Sequence, residues 1–171
     1  MKTVYLLRHA KSSSSDGSQA DHARPLSARG RHAADRIGEL LAARDELPDL
    51  ALCSSSRRTK ETLDRVQRQL GSELPVEIES GLYLASCETL LGRIRELPDD
   101  VERVMLVGHN PGIGELAERL AREGPRELRE SLGEKFPTGA LAIVRLSGPR
   151  WSDARLGGRL EAFVCPRELE A

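Results

Sequence analysis

Short apolar runs alternate with amphipathic helical stretches along most of this chain, and that alternation restricts the fold more than any other feature. The runs fall at residues 3–9 (TVYLLRH), 50–54 (LALCS), 75–79 (PVEIE), 103–109 (RVMLVGH) and 140–146 (ALAIVRL). The first and fourth are nearly continuous, as strands buried on both faces must be. Helical spacing relates Ala33, Ile37, Leu40 and Leu41, then Leu63, Val66 and Leu70, then Leu90, Leu91, Ile94 and Leu97, then Ile113, Leu116, Ala117 and Leu120. Ser27 reads as the N-cap of the first helix, and Asn110-Pro111 as the cap of the fourth with proline at its first position. Repeated strand and helix units predict a three-layer α/β/α fold with a mainly parallel central sheet. Residues 158–165 (GRLEAFVC) are expected to add an edge strand. No repeat or interdomain linker interrupts the pattern, so residues 1–171 are expected to form one domain.

At 171 residues, such a domain buries roughly 70% of its unfolded surface. A formal net charge of -1, with both signs interspersed, gives no global attraction to nucleic acid or to an anionic membrane. Aromatic residues make up 3%, too few for the stacking platforms of single-strand binders. Cys53, Cys87 and Cys165 have neither metal-ligand nor disulfide spacing and read as reduced thiols. Residues 1–15 lack the apolar core of a signal peptide, and no run approaches the ~20 apolar residues of a membrane span. A cytoplasmic protein is expected, and a monomer.

In an open parallel sheet, ligands bind beyond the carboxyl ends of the strands. Three of those ends carry unusual cargo here: Arg8 and His9; the stretch CSSSRRTKET at residues 53–62; and Gly108, His109 and Asn110. The first and fourth runs, VYLLRHA and VMLVGHN, place a histidine at the same end, so the sheet makes the two imidazoles neighbours. Two histidines alone suit a metal, but a permanent guanidinium abutting one of them repels a cation and attracts an anion. An arginine from the Arg57/Arg58 pair, at a helix start, adds fork-shaped donors and backbone amides. The set suits a tetrahedral phosphoryl group, and a histidine so placed could attack phosphorus itself. The glycines of GHNPGIGEL do not keep the dinucleotide-binding spacing, and no glycine-rich phosphate loop with its lysine occurs.

The pieces RHAKSS after an N-terminal strand, DHARPLSARG at 21–30, CSSSRRTKET at 53–62, LYLAS at 82–86, VGHNPG at 107–112 and PTGALAIV at 137–144 occur in order. Together they resemble the histidine phosphatase superfamily, the phosphoglycerate mutase-like fold, and within it the small SixA-type phosphohistidine phosphatases. The resemblance implies that His9 is a nucleophile forming a phosphohistidine intermediate and that Arg8 holds phosphoryl oxygens beside it. It places Arg58 at the family's second arginine and His109 at its second histidine. Arg57 receives no role. Larger members protonate the leaving group with an acidic residue after the third strand, and neither Glu79 nor Glu88 sits in that motif. Residues 80–102 leave room for one helix and no lid, which favours hydrolysis over mutase chemistry.

The expected activity is a phosphatase with neither metal nor other cofactor, acting on phosphohistidine of a signalling or phosphotransfer protein. The alternatives are a phosphomonoesterase for a small phosphorylated molecule, such as a sugar or nucleotide, and a non-catalytic phosphate-binding module. Ser12 to Ser15 are expected to loop over the pocket without joining the site, and Arg24 to pair with Asp21 rather than line it. His22 and His32 read as surface residues. A histidine nucleophile at its ordinary pKa of ~6.5 predicts activity that falls in acid below that value.

Overall fold

The computed structural model describes residues 1–13 and 20–169. Strands β1 (Thr3–Arg8), β2 (Leu50–Ser54), β3 (Val76–Glu79) and β4 (Arg103–Gly108) alternate with helices α1 (Ala28–Ala42), α2 (Arg57–Leu70), α3 (Cys87–Arg95) and α4 (Gly112–Leu120). A short strand β5 (Ala121–Glu123), helix α5 (Arg126–Glu134) and the strands β6 (Leu141–Leu146) and β7 (Gly158–Val164) complete the chain. The seven strands form one sheet in the order β3-β2-β4-β1-β6-β7-β5. Only β6 runs against its neighbours. The predicted three-layer, mainly parallel architecture is therefore the observed one.

Period-two alternation divides the core. Val4, Leu6, Val104 and Leu106 face one way, with α3, α4 and Trp151 covering them. Tyr5, Leu7, Met105 and Val107 face the other, against Ile37 and Leu41 of α1 and Leu63 and Val66 of α2. Central strands buried on both faces explain the continuous apolar runs. Ser27 caps α1, its side chain accepting from the Gly30 amide.

Two readings need correction. Residues 158–164 form a strand, but it is internal: β5 pairs parallel to it and takes the edge. With only three residues, two of them exposed, β5 leaves no periodic apolar signal. Helix α5 is equally quiet, because Leu132 is its single buried residue. Pro111 is the N-cap of α4 rather than its first helical residue, after a cis Asn110-Pro111 bond. The Asn110 side chain still accepts from the Gly114 amide at 3.0 Å, so the capping bond belongs to the residue one step earlier.

Among the described residues, no helix is long and apolar enough to cross a membrane. All three cysteines are free.

Candidate active site

Register builds the site. In the parallel β1–β4 pair, Arg8 lies opposite Gly108, and both strands end there. The following residues, His9 and His109, leave the sheet side by side with ring centroids 5.3 Å apart. The His9 amide donates to the Gly108 carbonyl at 3.0 Å, which fixes the crossing. Helix α2 supplies the third group. Ser56 caps it, and Arg58 in its first turn is 3% exposed. Thr62, one turn later, donates to the Arg58 carbonyl at 2.7 Å and accepts from the Ala10 amide at 3.0 Å. One hydroxyl thus locks the helix start to the residue after His9.

The segment after β1 is pinned from a third side. The Ser27 amide donates to the Lys11 carbonyl at 2.9 Å, and α1 packs so closely there that a Cβ on Gly30 would lie 2.0 Å from the same oxygen. Only glycine permits that approach.

The hydrogen bonds assign the tautomers. His9 Nδ1 lies 2.8 Å from the Ala10 carbonyl oxygen; a carbonyl can only accept, so Nδ1 carries the proton. The lone pair is left on Nε2, toward which Arg58 Nε donates at 3.4 Å. His109 has the opposite arrangement. Its Nδ1 accepts from Arg58 Nη2 at 3.4 Å and its Nε2 donates to Ser54 Oγ at 2.8 Å. Both imidazoles are neutral. Burial, with the Arg58 and Arg8 charges nearby, holds His9 at about 4. Burial, then His9 and Arg58, holds His109 at about 3.

Arg8 donates from Nη1 to the Phe136 carbonyl at 3.0 Å, while its buried Nε has no acceptor among the described residues. Burial and the Arg58 charge lower its pKa. Two guanidiniums and two proton-poor imidazoles around one space form a receptor for an anion. Arg58 is held in turn by Asp21, whose carbonyl accepts from Nη1 at 2.7 Å and whose carboxylate accepts from Nη2 at 3.0 Å. That carboxylate also accepts from the Tyr83 hydroxyl. Together with Arg58, the Tyr83 bond holds Asp21 down to about 2, so it stays ionised.

These groups border a cavity of about 690 Å³ lined by Arg8, His9, Arg58 and His109, with Lys11, Ser12, Ser13, Arg24, Ser27, Leu84, Asn110 and Thr138. The four predicted site residues therefore share one space. Two expectations change. Ser12 and Ser13 line the cavity because Ser12 bridges to Leu26 and the Ser13 amide donates to the Pro25 carbonyl; Ser14 and Ser15 lie outside the described residues. Arg24 both pairs with Asp21 at 3.0 Å and lines the cavity. Arg57 pairs with Glu61 at the surface. His32 is exposed on α1. His22 is exposed too, yet it bonds Ser55 Oγ at 2.9 Å and meets the Tyr83 ring edge-on.

Glu79 is held by Arg93 at 2.8 Å and Glu88 by Arg119, and neither lines the cavity. Sequence reasoning missed Ser54, Asp21 and Tyr83. Asp21 and Tyr83 lie within the motif pieces DHARPLSARG and LYLAS, but nothing in those strings says that they converge on Arg58. Among the described residues, no group of three or more His, Cys, Asp or Glu is placed to hold a metal ion.

Residues 4–104 match the histidine phosphatase superfamily (branch 1). An uncharacterized protein of Mycobacterium tuberculosis is 36% identical over 164 residues, covering 94% of this chain and all of that relative. Two similar solved structures are provisionally named phosphohistidine phosphatase SixA. That from Agrobacterium tumefaciens is 33% identical with a TM-score of 0.82, covering 96% of this chain and 98% of its own. That from Nakamurella multipartitia is 28% identical with a TM-score of 0.83, covering 96% of each. The family match includes Arg8, His9 and Arg58 of the cavity. The chain belongs to the histidine phosphatase superfamily.

Proposed function

We propose that this phosphatase hydrolyses phosphohistidine on a protein through a covalent intermediate on His9. The observation that carries the proposal is the His9 tautomer: Nδ1 is committed to the Ala10 carbonyl, so the Nε2 lone pair faces the anion receptor. That lone pair attacks phosphorus as the bond to the leaving group breaks. The Nδ1–H bond to the carbonyl stabilises the positive charge that grows on the ring. Arg8 and Arg58 hold the equatorial oxygens. His109 takes up a proton as the anion arrives and donates it from Nδ1, its ring kept in place by Ser54. Water then attacks the phosphoryl group, the Nε2–P bond breaks, and phosphate and the neutral imidazole are released.

The carboxylates favour a P–N bond. Glu79 and Glu88 are held by arginines away from the cavity, and Asp21 stays ionised. An alkoxide leaving group needs an acid, whereas a phosphorylated imidazole already protonated on its other nitrogen leaves as neutral imidazole without one. The single helix α3 between β3 and β4 leaves the mouth open to a protein surface. The two structural relatives named SixA support the same substrate class.

A second reading, a phosphomonoesterase for a small metabolite, draws on the 690 Å³ cavity, which falls within the ~300–1,000 Å³ of small-molecule sites. Phosphate release decides, measured in chelator with wild type and His9→Ala, on a histidine-phosphorylated carrier domain and on p-nitrophenyl phosphate. Turnover of the carrier that is lost in the variant supports the proposal. Turnover of the ester alone establishes the second reading, and silence on both makes the chain a phosphate-binding module.

A further inference from the structure

Arg58 presents two forks, and they are held unequally. At the end of the guanidinium, Nη1 donates to the Asp21 carbonyl at 2.7 Å and Nη2 to the Asp21 carboxylate at 3.0 Å. Along its side, Nε donates toward His9 Nε2 and Nη2 toward His109 Nδ1, both at 3.4 Å. The long pair faces the space between the imidazoles, so it is the fork that grips a phosphoryl group. Asp21 therefore sets where that fork points. The carboxylate is itself tied down: Oδ2 also accepts from the Tyr83 hydroxyl, and Oδ1 pairs with Arg24 Nη2 at 3.0 Å. Tyr83 braces the same corner with its ring, which meets His109 edge-on with centroids 5.3 Å apart and lies 5.9 Å from Arg58 Cζ.

We propose that Asp21 and Tyr83 are positioning residues for phosphoryl transfer, the hydroxyl fixing the carboxylate and the carboxylate aiming the inner fork of Arg58 at the phosphoryl oxygens. The inference rests on the histidine-nucleophile reading and adds to it the pair that orients its charge clamp. Fold stability does not account for the arrangement: Asp21 is half-exposed, and an ion pair so exposed adds little to it. Binding does not account for it either, because a carboxylate beside the anion receptor repels a phosphoryl group. What the carboxylate supplies is aim. A ground-state dianion can follow a guanidinium that pivots, whereas the transition state needs one held in place. The charge has a second effect. His109 faces Arg8 and His9 at the end of β1, Arg58 from α2, and Lys11 and Arg24 across the cavity. Burial, His9, Arg58 and Arg8 oppose a proton on His109, and Asp21 favours it. Asp21 thus helps His109 hold the proton that it gains with the anion.

The test measures kcat, KM and inhibition by inorganic phosphate in Asp21→Ala, Asp21→Asn and Tyr83→Phe, with wild type and His9→Ala beside them and thermal melts to fix the folded fraction. The substrates are phosphoramidate, p-nitrophenyl phosphate and a histidine-phosphorylated carrier domain. On whichever of these the wild type turns over, kcat should fall roughly 100-fold in Asp21→Ala and about 10-fold in Asp21→Asn and Tyr83→Phe. KM and the phosphate inhibition constant should hold or fall in both Asp21 variants, because a repelling charge is gone. The alkaline limb of kcat should move to lower pH in Asp21→Asn and stay in place in Tyr83→Phe, which keeps the charge. Wild-type kcat in Asp21→Ala and Tyr83→Phe, with His9→Ala inactive, overturns the positioning pair and leaves the nucleophile intact. A raised KM with unchanged kcat in Asp21→Ala also overturns it, since Asp21 would then serve binding alone. Full turnover by His9→Ala, or silence of the wild type on all three substrates, overturns the nucleophile reading together with the pair.

Discussion

The two halves of the sheet contribute to the site in different currencies. In the half built from β1 to β4, parallel strands end together and hand side chains to the cavity: Arg8, His9 and His109, with Ser54 bonded behind His109 and Arg58 from the helix after β2. In the other half, β6 runs antiparallel and the contribution is backbone. The Phe136 carbonyl accepts from both Arg8 and Asn110, and the Gly139 amide donates to the carbonyls of Arg8 and His9. Backbone groups can be supplied by almost any residue, so this half is free to optimise packing instead. Trp151 shows it: fully buried, its indole donates to the Val101 carbonyl at 2.7 Å.

That division predicts opposite outcomes for two substitutions. Arg58→Ala removes the group that faces both imidazoles, and kcat/KM should fall roughly 10³-fold. Thermal stability should hold or rise, because the repulsion between Arg58 and Arg8 disappears with it. Trp151→Ala should cost about 3–5 kcal/mol of stability and leave kcat of the folded fraction unchanged. Thermal melts beside steady-state kinetics make the check. Should Trp151→Ala lose kcat at full folding, the second half is more than a scaffold.

Legibility in the sequence follows the same line. Side-chain chemistry at strand ends leaves a mark, so Arg8, His9, Arg58 and His109 could be named from two similar apolar runs and one polar stretch, helped by the family resemblance. Alternation of buried strands and amphipathic helices gave the layers. The far half left weaker marks. β5 is three residues of ARE and α5 buries one side chain, so neither shows a period, and the visible pattern makes β7 look like the edge. Asp21, Tyr83 and Ser54 escaped for another reason. Each acts by touching Arg58 or His109 across long sequence separations, and spacing along the chain does not encode that convergence.

Burial sharpens the comparison through pH. An unfolded imidazole titrates near 6.5, while in the fold His9 and His109 are held at about 4 and about 3. Between pH 6.5 and about 4 the unfolded state therefore binds protons that the folded state refuses, and stability falls as pH falls. The slope approaches 1.4 kcal/mol per pH unit for each imidazole. The acid limb of activity moves as well. The ordinary histidine value predicted a decline below ~6.5, but a nucleophile held near 4 stays unprotonated well below that. Corrected for substrate ionisation, kcat/KM should remain flat to about pH 5 and fall near 4. A midpoint at 6.5 would mean that the imidazole is not desolvated in the working enzyme.

Ser54 tests whether the parallel half also holds its chemistry by side-chain orientation. Its hydroxyl accepts from His109 Nε2, but Ser54 does not itself line the cavity. Ser54→Ala should lower kcat/KM about 10-fold, the worth of one buried hydrogen bond. Because the hydroxyl also stabilises a ring that gains charge at Nδ1, kcat should change more than KM. Ser54→Thr keeps the oxygen and should recover most of the loss if its methyl is accommodated.

The smallest expected effect concerns Leu84, at the mouth of the cavity between Tyr83 and the start of α3. It is the one non-glycine with positive φ, at 51°, among the described residues, and its side chain is 56% exposed. An apolar residue in left-handed backbone with little packing gains nothing in the isolated fold to offset a strain of about 1 kcal/mol. Leu84→Gly should therefore raise stability by less than ~1 kcal/mol, the relief being partly cancelled by the freer unfolded chain. If the leucine is kept for contact with a docked protein, the same variant should raise KM for a phosphorylated carrier domain and leave phosphoramidate hydrolysis alone. A stability gain with no change on any substrate would make the strain a by-product of the turn into α3. A stability loss would show that the side chain packs more tightly than its exposure indicates, and the mouth of the active half would then share the scaffold role assigned to the other.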